Sequence, residues 1–171
     1  MGSIYKFKSV NKCNYEIETW LGVGWLTLMP EQLISTWDGD DDEPFLFKLV
    51  DDRELVKKTL SILENGGRIL GSAEAEPSHG NYLFACPSCY HFTTKFWYKV
   101  SGRDEYWRNW ELEPFYRCKY CHDFIAKVEV VKQSSKTEQY IFRFQDDNDW
   151  IVPCPECHNE NFLLLEEGDW D

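Results

Sequence analysis

The sequence has no run of eighteen apolar residues, the length that a membrane-spanning helix needs. Its first ten residues, MGSIYKFKSV, lack the apolar core of a secretion signal. Lys6 stands where a myristoylation signal requires Ser or Thr, so no lipid anchor at Gly2 is expected. Basic residues are scarce: 18 Lys and Arg face 30 Asp and Glu, a formal net charge of -12. Such a field repels phosphate backbones and argues against general nucleic-acid binding. The deficit is even along the chain. Residues 1–80 carry 8 basic and 14 acidic side chains and residues 81–171 carry 10 and 16, so no basic lobe hides in the average. Methionine is nearly absent, Met29 being the only internal one. These absences lead to the expectation of a soluble, cytoplasmic protein with no membrane partner.

Apolar residues are not lacking. Hydrophobic residues make up 43% of the 171 positions and aromatics 16%, with 8 Trp, 9 Tyr and 11 Phe. That supports one packed domain or two small ones, and excludes a wholly disordered chain despite a mean hydropathy of -0.53.

The strongest signal is carried by seven cysteines. Six form three C-x-x-C pairs, Cys86 with Cys89, Cys118 with Cys121 and Cys154 with Cys157, and Cys13 stands alone. A two-residue gap lets both thiolates of a tight turn point at one cation, while the turn's backbone N–H groups stabilise charge on sulfur. Two such knuckles complete a tetrahedral four-sulfur shell, the geometry that favours Zn2+. Three pairs in a chain without a secretion signal point to structural zinc, one or two ions per chain, rather than to disulfides. Two rival readings are weaker. Cys118 to His122 and Cys154 to His158 match the c-type haem attachment pattern, but attachment normally requires export, and only Met29 is on hand as an axial methionine. A thioredoxin-like pair would open a helix in a βαβ unit, whereas these pairs follow aromatic and β-branched runs such as Asn81–Ala85.

Around the cysteines the texture is that of strands. Ile4–Lys8 and Asn14–Trp20 alternate with period two, residues 23–29 read as a buried apolar segment, and Pro30 is placed to open a short helix over 31–36. Asp38–Glu43 is acidic; it lacks the Gly and Glu that a calcium loop needs at its sixth and twelfth positions, so it reads as a solvated loop. The clearest helix is 52–64, with Asp51 and Glu54 at capping-box spacing, a stripe of Leu55, Val56, Thr59, Leu60 and Leu63, and Asn65-Gly66-Gly67 as its stop. Residues 71–80 read as a linker. Beyond them strands flank each knuckle: 82–85 and 90–100, 115–117 and 124–131, then 138–144, 150–152 and 162–165, with 133–137 a hairpin tip. Residues 101–113 receive no assignment. The expected fold is mainly β with a small α component: two zinc-ribbon-like units of strands around C-x-x-C knuckles, with one inserted helix. Residues 1–80 form an N-terminal β/α region and 81–171 the ribbon region, the two able to merge into one domain.

Spacing leaves the metal pairing open, since the intervening gaps are 28 and 32 residues. Cys86 and Cys89 can join Cys118 and Cys121, leaving Cys154 and Cys157 to recruit Cys13 and a histidine. Alternatively Cys118, Cys121, Cys154 and Cys157 close one site while Cys86 and Cys89 turn to Cys13. A crossed arrangement of the first and third pairs is a third option. The stretch Cys13-Asn-Tyr-Glu-Ile-Glu-Thr-Trp-Leu-Gly-Val-Gly-Trp, followed after a helical insert by three knuckles, resembles the opening of a group of uncharacterised bacterial proteins with four C-x-x-C knuckles, or two zinc ribbons. In that group C-x-x-C-G-Y precedes a similar Leu-Gly-Val-Gly-aromatic stretch. The chain departs from the pattern at Val10, which stands where the first cysteine of knuckle one would be, and at Asn14, Tyr90, His122 and His158, which replace the Gly after each knuckle. Asn and His tolerate left-handed backbone, so His122 and His158 are read as turn residues rather than ligands. The resemblance implies the second pairing: a complete site of Cys118, Cys121, Cys154 and Cys157, and a degraded one of Cys13, Cys86 and Cys89 with His79 or His91 as candidate fourth ligand.

A closed four-sulfur shell has no position for water, so its work is folding rather than hydrolysis. The expected function is a zinc-stabilised acidic protein-interaction module, an adaptor or inhibitor acting on a partner with a basic surface. Eight tryptophans and the acidic segments Asp38–Glu43, Asp146–Asp149 and Glu166–Asp171 carry that reading. A first alternative is a single-stranded nucleic-acid-binding ribbon, in which Lys95, Lys99, Arg103, Arg108, Arg117 and Lys119 interleave with Phe96, Trp97, Tyr98, Tyr106 and Trp107. The second is a zinc hydrolase at a three-thiol site, or a thiol-redox enzyme.

Overall fold

Alternating inward apolar and outward polar residues build most of the chain into antiparallel sheet. The computed structural model describes residues 2–10, 13–23, 30–36, 43–70, 79–103, 109–133, 138–145 and 150–170. Ten strands occur among them: β1 (Gly2–Ser9), β2 (Glu16–Leu21), β3 (Arg68–Ile69), β4 (His79–Ala85), β5 (Phe92–Tyr98), β6 (Val100–Arg103), β7 (Asn109–Leu112), β8 (Ala126–Lys132), β9 (Gln139–Phe144) and β10 (Phe162–Trp170). Three helices accompany them: α1 (Pro30–Ile34), α2 (Leu46–Leu49) and α3 (Arg53–Glu64). None of these is long and apolar enough to cross a membrane.

Seven strands form one antiparallel sheet in the order β2-β1-β10-β9-β8-β4-β5, and β3-β6-β7 form a small second sheet. The large sheet curls until its ends nearly meet. Gly22 N–H donates to the Asn81 carbonyl at 2.9 Å and Asn81 N–H to the Gly22 carbonyl at 2.8 Å, while Thr19 and Thr94 share a hydroxyl hydrogen bond of 2.9 Å. Near-closure leaves less of the terminal strand edges open to pairing with other chains. Strand pairing also crosses the linker: β1 runs antiparallel to β10 from Gly2 opposite Trp170 to Ser9 opposite Phe162.

Two cores result. Inside the curled sheet Phe142 meets Phe7, Phe92 and Phe162 with ring centroids 5.1, 4.9 and 4.8 Å away. Against the far end of β5, Val56 and Ile62 of α3 join Leu33, Leu46, Val50, Phe96, Tyr98 and Val100. The helix obeys its stripe, with Val56 and Thr59 buried, and it stops at Gly66, whose φ of 85° suits glycine. Its cap is Asp52 rather than Asp51: the Asp52 carboxylate accepts from the Glu54 and Leu55 N–H groups, while Asp51 pairs with Lys95 at 2.7 Å. Thr59 and Tyr98 share a buried hydroxyl contact of 2.8 Å. Tyr98→Phe removes it and is expected to cost about 1 kcal/mol in urea denaturation.

Several expectations need correction. The single inserted helix of the expected fold gives way to three: α1 matches the short helix read after Pro30, while α2, of four residues, is too short to leave a periodic signal. Residues 101–113 contain the β6–β7 hairpin, in which Gly102 stands opposite Trp110. Segments 115–117 and 150–152 contribute only isolated bridges, Arg117 to Phe124 and Ile151 to Arg143. The readings placed on 24–29, 38–42, 71–78, 134–137 and 146–149, and on Tyr106, Trp107, Arg108 and Asp171, lie outside the described residues.

Candidate metal centres

All three C-x-x-C turns share one backbone. The first cysteine's N–H donates to the carbonyl five residues on: Cys86 to His91 at 3.1 Å, Cys118 to Asp123 at 2.8 Å and Cys154 to Asn159 at 2.8 Å. Its own carbonyl accepts from the N–H four residues on: Tyr90 at 2.8 Å, His122 at 2.9 Å and His158 at 2.9 Å. Those three residues are left-handed, with φ of 60°, 63° and 57°. They are three of the four positions expected to replace a glycine; Asn14 does not adopt that conformation. The turn leaves N–H groups aimed at sulfur: Ser88 and Cys89 toward Cys86, Tyr120 (3.4 Å) and Cys121 toward Cys118, Glu156 and Cys157 toward Cys154. His122 is exposed, so His122→Gly relieves its left-handed strain at little packing loss. It is expected to stabilise the metal-loaded protein by about 1 kcal/mol in thermal melts.

The structure brings Cys86, Cys89, Cys118 and Cys121 into one group and Cys13, Cys154 and Cys157 into another, all ligand atoms within 4.8 Å of one another in each. This overturns the pairing that the resemblance implied. Sheet order is the reason. Ala85 of β4 stands opposite Ala126 of β8, which sets the second knuckle beside the first, and Ser9 opposite Phe162 brings the Cys13 loop to the third.

In the four-thiol group the two turns face each other. Sulfur separations are 3.3 Å for Cys86–Cys121, 3.5 Å for Cys89–Cys118 and 3.6 Å for Cys89–Cys121. A tetrahedron with metal–sulfur bonds of about 2.3 Å has edges of about 3.8 Å, whereas a disulfide needs about 2.05 Å. All seven cysteines are free thiols. Burial pushes Cys89 up to about 12 and raises Cys86. At Cys118 burial is outweighed by the Cys121 and Tyr120 N–H groups, which bring it down to about 7.

The three-thiol group is built differently. Cys13 and Cys154 sulfurs lie 3.6 Å apart, and the hydroxyl of buried Ser9 lies 3.2 Å from the Cys157 sulfur. The Ser9 hydroxyl, with the Asn159 N–H, lowers Cys157 to about 7, while burial raises Cys154 to about 11. The Cys13 loop is no knuckle: Ser9 N–H donates to Tyr15 at 3.2 Å, six residues on, and Val10 N–H turns away to the Asn161 carbonyl at 3.0 Å. Neither histidine proposed as fourth ligand joins. His79 is buried in β4 against Phe96, and the His91 ring lies on Tyr120, centroids 3.9 Å apart. Among the described residues no fourth His, Cys, Asp or Glu enters this group. Ser9 escaped the sequence reading, although the alternation of β1 puts it on the same face as Phe7.

No protein-family model, curated protein or solved structure matches the chain. The centres therefore rest on their own geometry. Each group can hold a metal ion.

Proposed function

We propose that the chain is a zinc-stabilised acidic interaction module whose partner is a protein with a basic surface. The observation that carries the reading is the four-sulfur group of Cys86, Cys89, Cys118 and Cys121, drawn from two matched knuckles at shell-edge distances. Four thiolates in a tetrahedron select Zn2+, leave no position for a reactive water and give a net charge of about -2. The first knuckle sits between paired β4 and β5 and the second inside the Arg117–Phe124 bridge, an arrangement that supports a ribbon-like unit there.

The surface supports the interaction role. None of the five described tryptophans is fully buried, although Trp110 packs against the α3 core; Trp20 is 44% exposed and Trp150 66%. Trp20 lies against Trp170, centroids 5.9 Å apart, and its indole N–H donates to exposed Glu18 at 3.1 Å. Glu166, Glu167 and Asp169 are exposed on β10, so aromatic area and negative charge share one region. Two of the cations suggested for a single-strand surface are engaged: Lys95 pairs with Asp51 at 2.7 Å and Lys99 with Glu111 at 2.5 Å. Lys127 covers the Trp97 ring, 3.0 Å from its centroid.

Two measurements test this. Elemental mass spectrometry of protein purified without added metal or chelator is expected to find zinc; iron, or no metal, overturns the reading. Binding of a lysine-rich peptide and of a single-stranded oligonucleotide is then compared across salt concentrations. The peptide is expected to bind, weakening as salt rises and on Trp20→Ala, and the oligonucleotide to stay unbound at low salt. The reverse preference would replace this reading with the nucleic-acid one.

A further inference from the structure

The two thiol groups are held in place by different means. β1 is zipped to β10 along eight residues, from Gly2 opposite Trp170 to Ser9 opposite Phe162. Beyond the ladder, Val10 N–H bonds to Asn161 and Val152 N–H to Phe142 at 2.8 Å. The strands that deliver Cys13, Cys154 and Cys157 thus stay together without help from a metal. This group also offers three sulfurs rather than four. With metal–ligand bonds of about 2.0 Å to oxygen and 2.3 Å to sulfur, an oxygen at the fourth corner would stand about 3.5 Å from each sulfur. The Ser9 hydroxyl, 2% exposed in its residue and 3.2 Å from the Cys157 sulfur, stands close to that distance from one of them. Cys13 and Cys157 are only half-buried, so solvent reaches this side of the group. Three thiolates around a divalent ion leave a net charge of about -1, which opposes a further donor less than the -2 of four.

We propose that Cys13, Cys154 and Cys157 form an exchangeable metal site, with the fourth coordination position beside Ser9 filled by a small donor from solution, water in the resting protein. The four-thiol centre is the permanent one. This rests on the metal-binding reading above and deepens it: the chain carries one ion for folding and one that can leave or accept an outside ligand while the fold persists.

The test uses the full chain loaded with Co2+, whose visible absorption reports coordination. One of two equivalents is expected to pass to a chromogenic chelator at concentrations about 10- to 100-fold below those that extract the other. Added imidazole or 2-mercaptoethanol is expected to shift the bands of that labile equivalent alone. Cys13→Ser should lose the labile equivalent and keep both the far-ultraviolet dichroism and the slow one. Ser9→Cys supplies a fourth thiolate and should turn the labile equivalent slow and blind to imidazole. Two equivalents that leave together, the absence of any imidazole response in the unmodified protein, or uptake of one equivalent only would overturn the inference while leaving the four-thiol centre intact. A chain that takes up no metal would overturn the metal-binding reading itself.

Discussion

Stripping the four-thiol centre of metal, or replacing Cys121 by Ser, is expected to release the arm around residues 115–125 and to collapse thermal stability. Apart from the sulfurs, that arm is held by few contacts: the Arg117–Phe124 bridge, the Arg117 guanidinium on the His122 carbonyl at 2.9 Å, and hydrogen bonds from Ser88 to Asp123 and from Tyr116 to the Phe96 carbonyl. Three of its four aromatics stay largely in solvent, Phe115, Tyr120 and Phe124 being 73%, 56% and 52% exposed. Only Tyr116 packs inward, edge-on to Phe84 with centroids 5.6 Å apart, while the Tyr120 ring rests on His91. A structural zinc in such a setting contributes an apparent free energy of about 10–16 kcal/mol, far beyond what those contacts offer. Hydrogen exchange is the sensitive readout. The Cys118 and His122 amides, protected by bonds to Asp123 and Cys118, should exchange rapidly once chelator is added. Unchanged protection in the metal-free protein would mean the arm is held by something other than the metal.

Acid should act in the same direction. In the metal-free protein Cys89 keeps its proton up to about 12, so at any lower pH the metal must displace that proton. Apparent affinity therefore falls as pH falls, by about tenfold per unit for each proton released. Without metal the sign reverses above pH 9. A thiol raised from 9.0 to about 12 by burial favours the fold fully below pH 9 and loses that contribution as pH climbs toward 12. The melting temperature of the chelator-treated protein is therefore expected to fall as pH climbs from 9 toward 12, whereas between about 7 and 9 the lowered Cys118 and Cys157 make it rise with pH, in the same sense as the metal-loaded protein.

Phe142→Ala is expected to cost about 3–5 kcal/mol in urea denaturation of the metal-loaded protein. The ring is fully buried and is the hub at which Phe7 of β1, Phe92 of β5 and Phe162 of β10 meet, so its loss opens a cavity that three different strands would have to move to fill. Phe142→Leu, which keeps most of the volume, should recover the larger part of that loss. Equal costs for the two variants would indicate that ring geometry rather than filled volume is what the core requires.

These outcomes separate what local pattern encodes from what chain geometry adds. The alternation of Tyr5, Phe7 and Ile17, Thr19 across β1 and β2, the α3 stripe, and the turn residues His122 and His158 were all legible, because side-chain period and knuckle backbone are properties of a few consecutive residues. The C-x-x-C spacing by itself determined that each pair of thiols would face one point. Which pairs would meet was not legible. That was decided by β4 lying against β8 and β1 against β10, contacts between segments as far apart as Gly2 and Trp170 whose partners no local spacing records. Ser9 entered the three-thiol centre for the same reason: its inward face is local, but its neighbour Cys157 is 148 residues away. The amino-acid sequence alone therefore determined the strands of the large sheet, the main helix and the metal-binding turns, whereas only the tertiary structure decided the small second sheet and which turns share an ion, because sheet order is settled by the closure of a common core and not by any turn within it.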